Sequence, residues 1–173
     1  GDDKVFVAEP MRYDPADARL RRWLIANFLM FRGHQAFVAF YPLGTGMVDA
    51  PVWLPEYDLD LGGPATPVPA RIASQCTGDA TDFTCSGTYV RHFERGVVVV
   101  NPAEEARSQD LPALPDGQRY ARADFSGGGF VDGAGQRAPQ STTLTPLDGP
   151  RVDLGPQDAA VLLVVGPDGA PVR

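Results

Sequence analysis

The chain predicts an α/β segment followed by an all-β module. Three observations carry that expectation. Two apolar runs, Lys4-Val5-Phe6-Val7-Ala8 and Ala36-Phe37-Val38-Ala39-Phe40-Tyr41, flank one amphipathic helical stretch, a strand–helix–strand order that predicts parallel strands. Beyond Gly87 the pattern changes to short alternating runs separated by Gly, Pro and Asp, the mark of an antiparallel sandwich. Between the two halves, residues 89–102 read as a hairpin with a Glu94-Arg95-Gly96 turn and an Asn101-Pro102 stop.

The first apolar run ends at Glu9-Pro10 and reads as a buried strand. Asp14-Pro15 then offers an N-cap with proline at the first helical position. A helix is expected over about 16–32. Its apolar face has Leu20, Trp23, Leu24, Phe28 and Phe31 at spacings of three and four, widened by Ile25, Leu29 and Met30. Gly33 stands where a C-cap belongs. The basic run Arg19-Leu20-Arg21-Arg22 reads as a solvated face, or as one at the bottom of a barrel. From Met47 to Pro69 no regular element is evident, and a connection of that length is usually functional or a linker. The expected strands of the second half are 88–93, 96–101, 119–125, 129–132, 141–145, 151–154 and 159–165.

A single strand–helix–strand unit cannot cover both faces of a parallel sheet. Its strands are therefore expected to find neighbours in another segment or chain. The weaker alternative is an α+β domain whose helix packs on its own sheet.

Composition narrows the function classes. A formal net charge of −7, with Arg19–Arg22 as the one basic cluster, argues against nucleic acid as a partner. No run reaches the roughly 18 apolar residues of a membrane span. The chain opens on Gly1-Asp2-Asp3 with no initiator Met, so a processed, tagged or excised product is expected. Cys76 and Cys85 are too far apart for a redox CxxC pair and have no second pair for zinc. A disulfide around the intervening polar loop is favoured over two free thiols. In the chain-entropy account such a closure adds roughly 2.5–3 kcal/mol, and it implies a compartment outside the cytosol.

Four stretches resemble a group of glycoside-hydrolase-like proteins. Ala26-Asn27-Phe28-Leu29-Met30, followed by a glycine and an apolar strand, is similar to the last helix and strand of their barrel. Trp53-Leu54-Pro55-Glu56-Tyr57-Asp58-Leu59-Asp60-Leu61-Gly62 resembles the PEYDLDLG loop that follows that strand. Phe93 to Pro102 resembles the hairpin of their C-terminal β-domain, and Leu154 to Leu163 resembles its closing strand. The resemblance implies the last βαβ of a (β/α)8 barrel over 1–62, a linker with the cysteine loop over 63–87, and a C-terminal antiparallel β-sandwich over 88–173. It implies polysaccharide as ligand, the remaining barrel segment as partner, and an extracytoplasmic setting in which the isolated chain has no turnover.

In such a barrel, working groups sit at the C-terminal ends of strands and in the loops after them. Glu9 closes the first strand and is the candidate catalytic carboxylate, since glycoside cleavage uses two acids across the bond. Glu56, Asp58 and Asp60 alternate with Tyr57, Leu59 and Leu61, a pattern that suggests an extended segment with its acids on one side. Tyr41, Trp53, Glu56, Tyr57 and Asp58 are the expected sugar contacts, the aromatics by stacking on pyranose faces. His34, His92 and Trp23 read as structural. No cofactor and no metal site is expected, and no phosphate cradle, nucleophile elbow or dinucleotide fingerprint is present.

Overall fold

The computed structural model describes residues 6–8, 11–13, 17–32, 36–39, 41–42, 52–65, 76–78, 83–85 and 87–172. Its elements run β1 (Phe6–Ala8), β2 (Met11–Tyr13), α1 (Ala18–Phe31), β3 (Ala36–Val38), β4 (Tyr41–Pro42) and β5 (Val52–Trp53). A 3-10 turn at Pro55–Asp58 follows, then β6 (Cys76–Gly78), β7 (Phe83–Cys85), β8 (Tyr89–Phe93), β9 (Gly96–Asn101) and β10 (Arg107–Asp110). The chain continues through β11 (Arg119–Gly127), β12 (Gly129–Phe130), β13 (Gln140–Pro146), β14 (Arg151–Leu154) and β15 (Asp158–Val165). The described residues are thus mostly β, with one α-helix.

Strands β1 and β3, on either side of α1, pair in parallel, as the strand–helix–strand order predicts. The apolar run 36–41 is not one strand. Its end, with Pro42, forms β4 and pairs in parallel with β2. The main sheet is antiparallel, in the order β13-β11-β15-β9-β8. β8 and β9 form the hairpin expected around Gly96. β10 was not anticipated, because Arg107-Ser108-Gln109-Asp110 holds no apolar residue; it pairs antiparallel with β14, with Ser108 donating to Asp153 and Arg151 facing Asp110 across the pair.

The central strands are buried on both faces, and this explains why β9 and β15 read as continuous apolar runs. Val98 and Val100 of β9, Ala159, Val161 and Leu163 of β15, and Ala123 and Phe125 of β11 meet the helix. Val97, Val99, Ala160, Leu162 and Tyr120 face the other way, against Val152 and Leu154 of β14 and Leu111. The five-stranded sheet therefore has α1 on one face and the β10–β14 pair on the other.

The helix differs from its expected form at its N-terminus and in its buried face. Its N-cap is Asp17, whose side chain accepts from the Leu20 N–H at 2.9 Å; Asp14, Pro15 and Gly33 lie outside the described residues. The buried stripe is Arg21, Ile25, Ala26, Leu29 and Met30, while Leu20, Trp23, Leu24 and Phe28 are half-buried and Phe31 is exposed. Small side chains on the sheet side, Ala123 and Ala159 among them, let the helix settle on the row containing Ala26. The layer expected to seek all its cover elsewhere thus finds part of it on this chain's own sheet.

Only Arg19 of the basic run is exposed; Arg21 and Arg22 turn inward, which corrects the expectation of a solvated face for them. Arg21 is buried, Arg22 pairs with Asp158 at 2.9 Å, and Arg19 donates to the carbonyl of Pro156. Burial raises the Asp158 carboxyl. The hydrogen bond from Arg22, those from the Ala159 and Gly155 N–H groups, and the Arg22 charge outweigh it and hold the group below the ordinary aspartate value. Among the described residues no helix is long and apolar enough to cross a membrane.

Candidate functional site

The stretch 52–62 crosses the helix-side face of the sheet from β12 to the β8–β9 turn. β5 pairs Trp53 with Gly129 and Val52 with Phe130. Gly128, at φ +88°, lies so close to the Trp53 carbonyl and the Leu54 and Pro55 side chains that a Cβ would crowd all three. Leu54 and Leu61 are fully buried and pin the segment at both ends. At the far end Arg95 N–H donates to Leu61 O and Glu94 N–H to Gly63 O, each at 3.0 Å.

Pro55 opens the 3-10 turn, and the turn separates the acids that an extended chain would have aligned. Glu56 points inward and is 3% exposed; Asp58 and Asp60 point outward. Arg21 Nε donates to Glu56 Oε1 at 2.8 Å, and Arg21 Nη1 donates to Gly127 O at 2.7 Å. One guanidinium thus joins α1, the 3-10 turn and the end of β11. Burial pushes the Glu56 carboxyl above the usual glutamate value; a backbone hydrogen bond and the charge and hydrogen bond of Arg21 offset only part of that. A carboxylate so enclosed is a structural clamp and has no face open to a sugar, contrary to the expectation.

Trp53, Tyr57 and Asp58 do come together, and two residues not anticipated complete the group. Asp58 Oδ2 accepts from Trp53 Nε1 at 3.1 Å and from Gln140 Nε2 at 2.9 Å. Arg137 Nη1 reaches the same carboxylate at 3.2 and 3.3 Å, and its guanidinium lies 3.8 Å above the Trp53 ring centroid. Tyr57 meets Trp53 edge to face, centroids 5.6 Å apart at 88°. One face of Trp53 is therefore occupied by Arg137, and a ligand stacking there must displace it. Beside Asp58 a cavity of about 440 Å³ is lined by Asp60, Arg95, Thr142 and Leu144, with Asp60 paired to Arg95.

Glu9 lies outside the described residues, as do the side chains of Tyr41, Cys76 and Cys85. The backbone pairs β6 with β7 so that Cys76 stands directly opposite Cys85. His92 sits in β8, and Trp23 packs half-buried against the helix-side core. Arg137 and Gln140 carried no sequence signal, because they lie some eighty positions from Asp58. Arg21 did carry one: it stands four residues before Ile25 and eight before Leu29, on the stripe that the sheet covers. Comparison with protein-family models, curated proteins and solved structures finds no match.

Proposed function

We propose that this chain is the C-terminal portion of an extracytoplasmic glycoside-hydrolase-like protein, its β region buttressing an α/β barrel that binds or hydrolyses polysaccharide. The observation that carries the reading is the parallel pairing of β1 with β3 around α1. A two-stranded parallel sheet has little stability of its own and normally lies within a larger one. Phe37 of β3 is 61% exposed and Phe31 of α1 is 45% exposed, on the elements a barrel would extend. The barrel residues 1–62, the linker 63–87 and the sandwich 88–173 are the division that this reading assigns. Tyr41, Trp53, Tyr57 and Asp58 remain its sugar contacts and Glu9 its acid; Glu56 is left out.

A second reading, a non-catalytic carbohydrate-binding module of the cell envelope, is favoured by one observation. The Asp58 carboxylate is tied to Trp53, Gln140 and Arg137 together. That arrangement orients an aromatic ring and keeps the Asp58 carboxylate engaged instead of free for proton transfer. The test is polysaccharide binding and hydrolysis by the full-length product of the gene, beside its Trp53→Ala and Glu9→Gln variants. Hydrolysis abolished by Glu9→Gln supports the enzyme, and binding without hydrolysis supports the module. A gene product that binds no polysaccharide overturns both.

A further inference from the structure

The two edges of the main sheet are built differently. Beyond β8, residues 63–65 lie alongside, with Ala65 N–H donating to His92 O at 3.0 Å and Pro64 bridging Phe93. Beyond β13 no described strand follows. β13 is Gln140-Ser141-Thr142-Thr143-Leu144-Thr145-Pro146, seven residues without a charged side chain, and its pairing to β11 runs without a bulge from Gly127↔Gln140 to Ala121↔Pro146. Ser141, Thr142, Thr143, Thr145 and Pro146 are exposed. A long, regular, uncharged edge lacks the lysines and bulges that keep sheet edges apart.

The hydrogen-bond phase shows which backbone groups are open. Leu147 N–H donates to Tyr120 O and Gly128 N–H to Pro139 O, so Ser141, Thr143 and Thr145 turn their amides toward β11. Gln140, Thr142 and Leu144 turn theirs outward.

We propose that this edge pairs with the same edge of a second copy, antiparallel about a two-fold axis at Thr143. That register bonds Thr142 of each copy to Leu144 of the other. It also lets the Gln140 N–H reach the carbonyl of Pro146, the one outward position without an N–H. Thr143 then faces Thr143, and Ser141 faces Thr145, small side chains in the pairs between the hydrogen-bonded ones. Self-pairing suits the charge as well. The chain carries −7, yet three carboxylates near β13 are each paired with an arginine: Asp124 with Arg122, Asp58 with Arg137, Asp60 with Arg95. Like therefore meets like here without repulsion.

One added strand pair lies at the small end of specific interfaces, so the dimer is weak and concentration-dependent. Sedimentation equilibrium of the 173-residue chain is expected to show a monomer–dimer equilibrium insensitive to salt. Thr142→Pro removes an outward N–H and no internal ladder bond; it should abolish association and leave the melting temperature unchanged. Should Thr142→Pro fold poorly, Thr143→Lys sets two ammonium groups against each other and should do the same. In Thr143→Cys, oxidation should yield a 143–143 disulfide mapped by peptide mass, whereas Thr145→Cys, off the axis, should not cross-link to itself. A chain that stays monomeric at every concentration overturns the proposal, including one whose edge takes up a different polypeptide. So does association untouched by Thr142→Pro and Thr143→Lys, or equal cross-linking at 143 and 145.

Discussion

Arg91 of β8 donates from Nη1 to the carbonyl oxygen of Leu29 at 2.6 Å, reaching from the sheet into the last turns of α1. Leu29 lies among the final four carbonyls of the helix, which have no partner within it, at the negative end of its dipole. Arg91 is 1% exposed, and its guanidinium stands 5.3 Å from the Phe93 ring centroid. A buried cation is tolerable here because it meets a carbonyl and an aromatic face. Arg91→Met, which keeps the bulk and removes the donor, is expected to lower unfolding stability by about 1.5–3 kcal/mol. Urea denaturation measures it; a change near zero would mean that the contact adds nothing.

Arg21 and Glu56 form the second fastening of α1. Removing one partner of an enclosed ion pair strands the other, so Arg21→Met should cost about 3–5 kcal/mol. The double variant Arg21→Met/Glu56→Leu should recover most of that loss, because no charge is left buried. A thermodynamic cycle over the four chains checks both statements.

The same pair gives a pH dependence of definite sign. The Glu56 carboxyl titrates higher in the folded chain than in the unfolded one. Its stability contribution is therefore fully present below the unfolded value and falls as pH rises through the raised folded value. Glu56→Gln carries no such proton and should lack that decline. Stability of both chains, followed from acid pH to neutrality, should diverge in that direction; parallel curves would contradict it.

Gly96 is held by space and not by backbone angle. A Cβ there would collide with the Leu162 carbonyl and with the Leu61 side chain, at the point where the β8–β9 hairpin meets both β15 and the 52–62 segment. Gly96→Ala should destabilise by about 1–3 kcal/mol, as overpacking does. Gly117→Ala, with nothing within 4 Å but φ +81°, should show only a smaller backbone cost. Thermal melts of the two variants separate the causes.

Cys76 and Cys85 stand opposite each other in an antiparallel pair, a backbone separation within the range that a disulfide spans. Purified under oxidising conditions, the chain is expected to titrate no free thiol. Its mass should rise by two hydrogens on reduction, without change of oligomeric state. Two titratable thiols in the untreated protein would remove the argument for an extracytoplasmic setting.

How much of this was written along the chain differs by element. The strands of the second half were legible because β9 and β15 must bury both faces, which forces uninterrupted apolar runs. The parallel pairing of β1 and β3 was legible because connection rules leave few alternatives for two strands around one helix. The cap at Asp17, the turn at Pro55 and the strand β10 were not, since each depends on local hydrogen bonds that leave no hydrophobic period.

The site divides in the same way. Trp53, Tyr57 and Asp58 are near neighbours in sequence, so their grouping follows from any compact turn. Their partners Arg137 and Gln140 arrive only when β13 pairs with β11. The direction of Glu56, inward to Arg21, was likewise decided by packing. Local spacing and composition thus determined which segments become strands and helix. Only the folded arrangement decided which charges lie inside, because burying a charge depends on a partner that chain proximity does not supply.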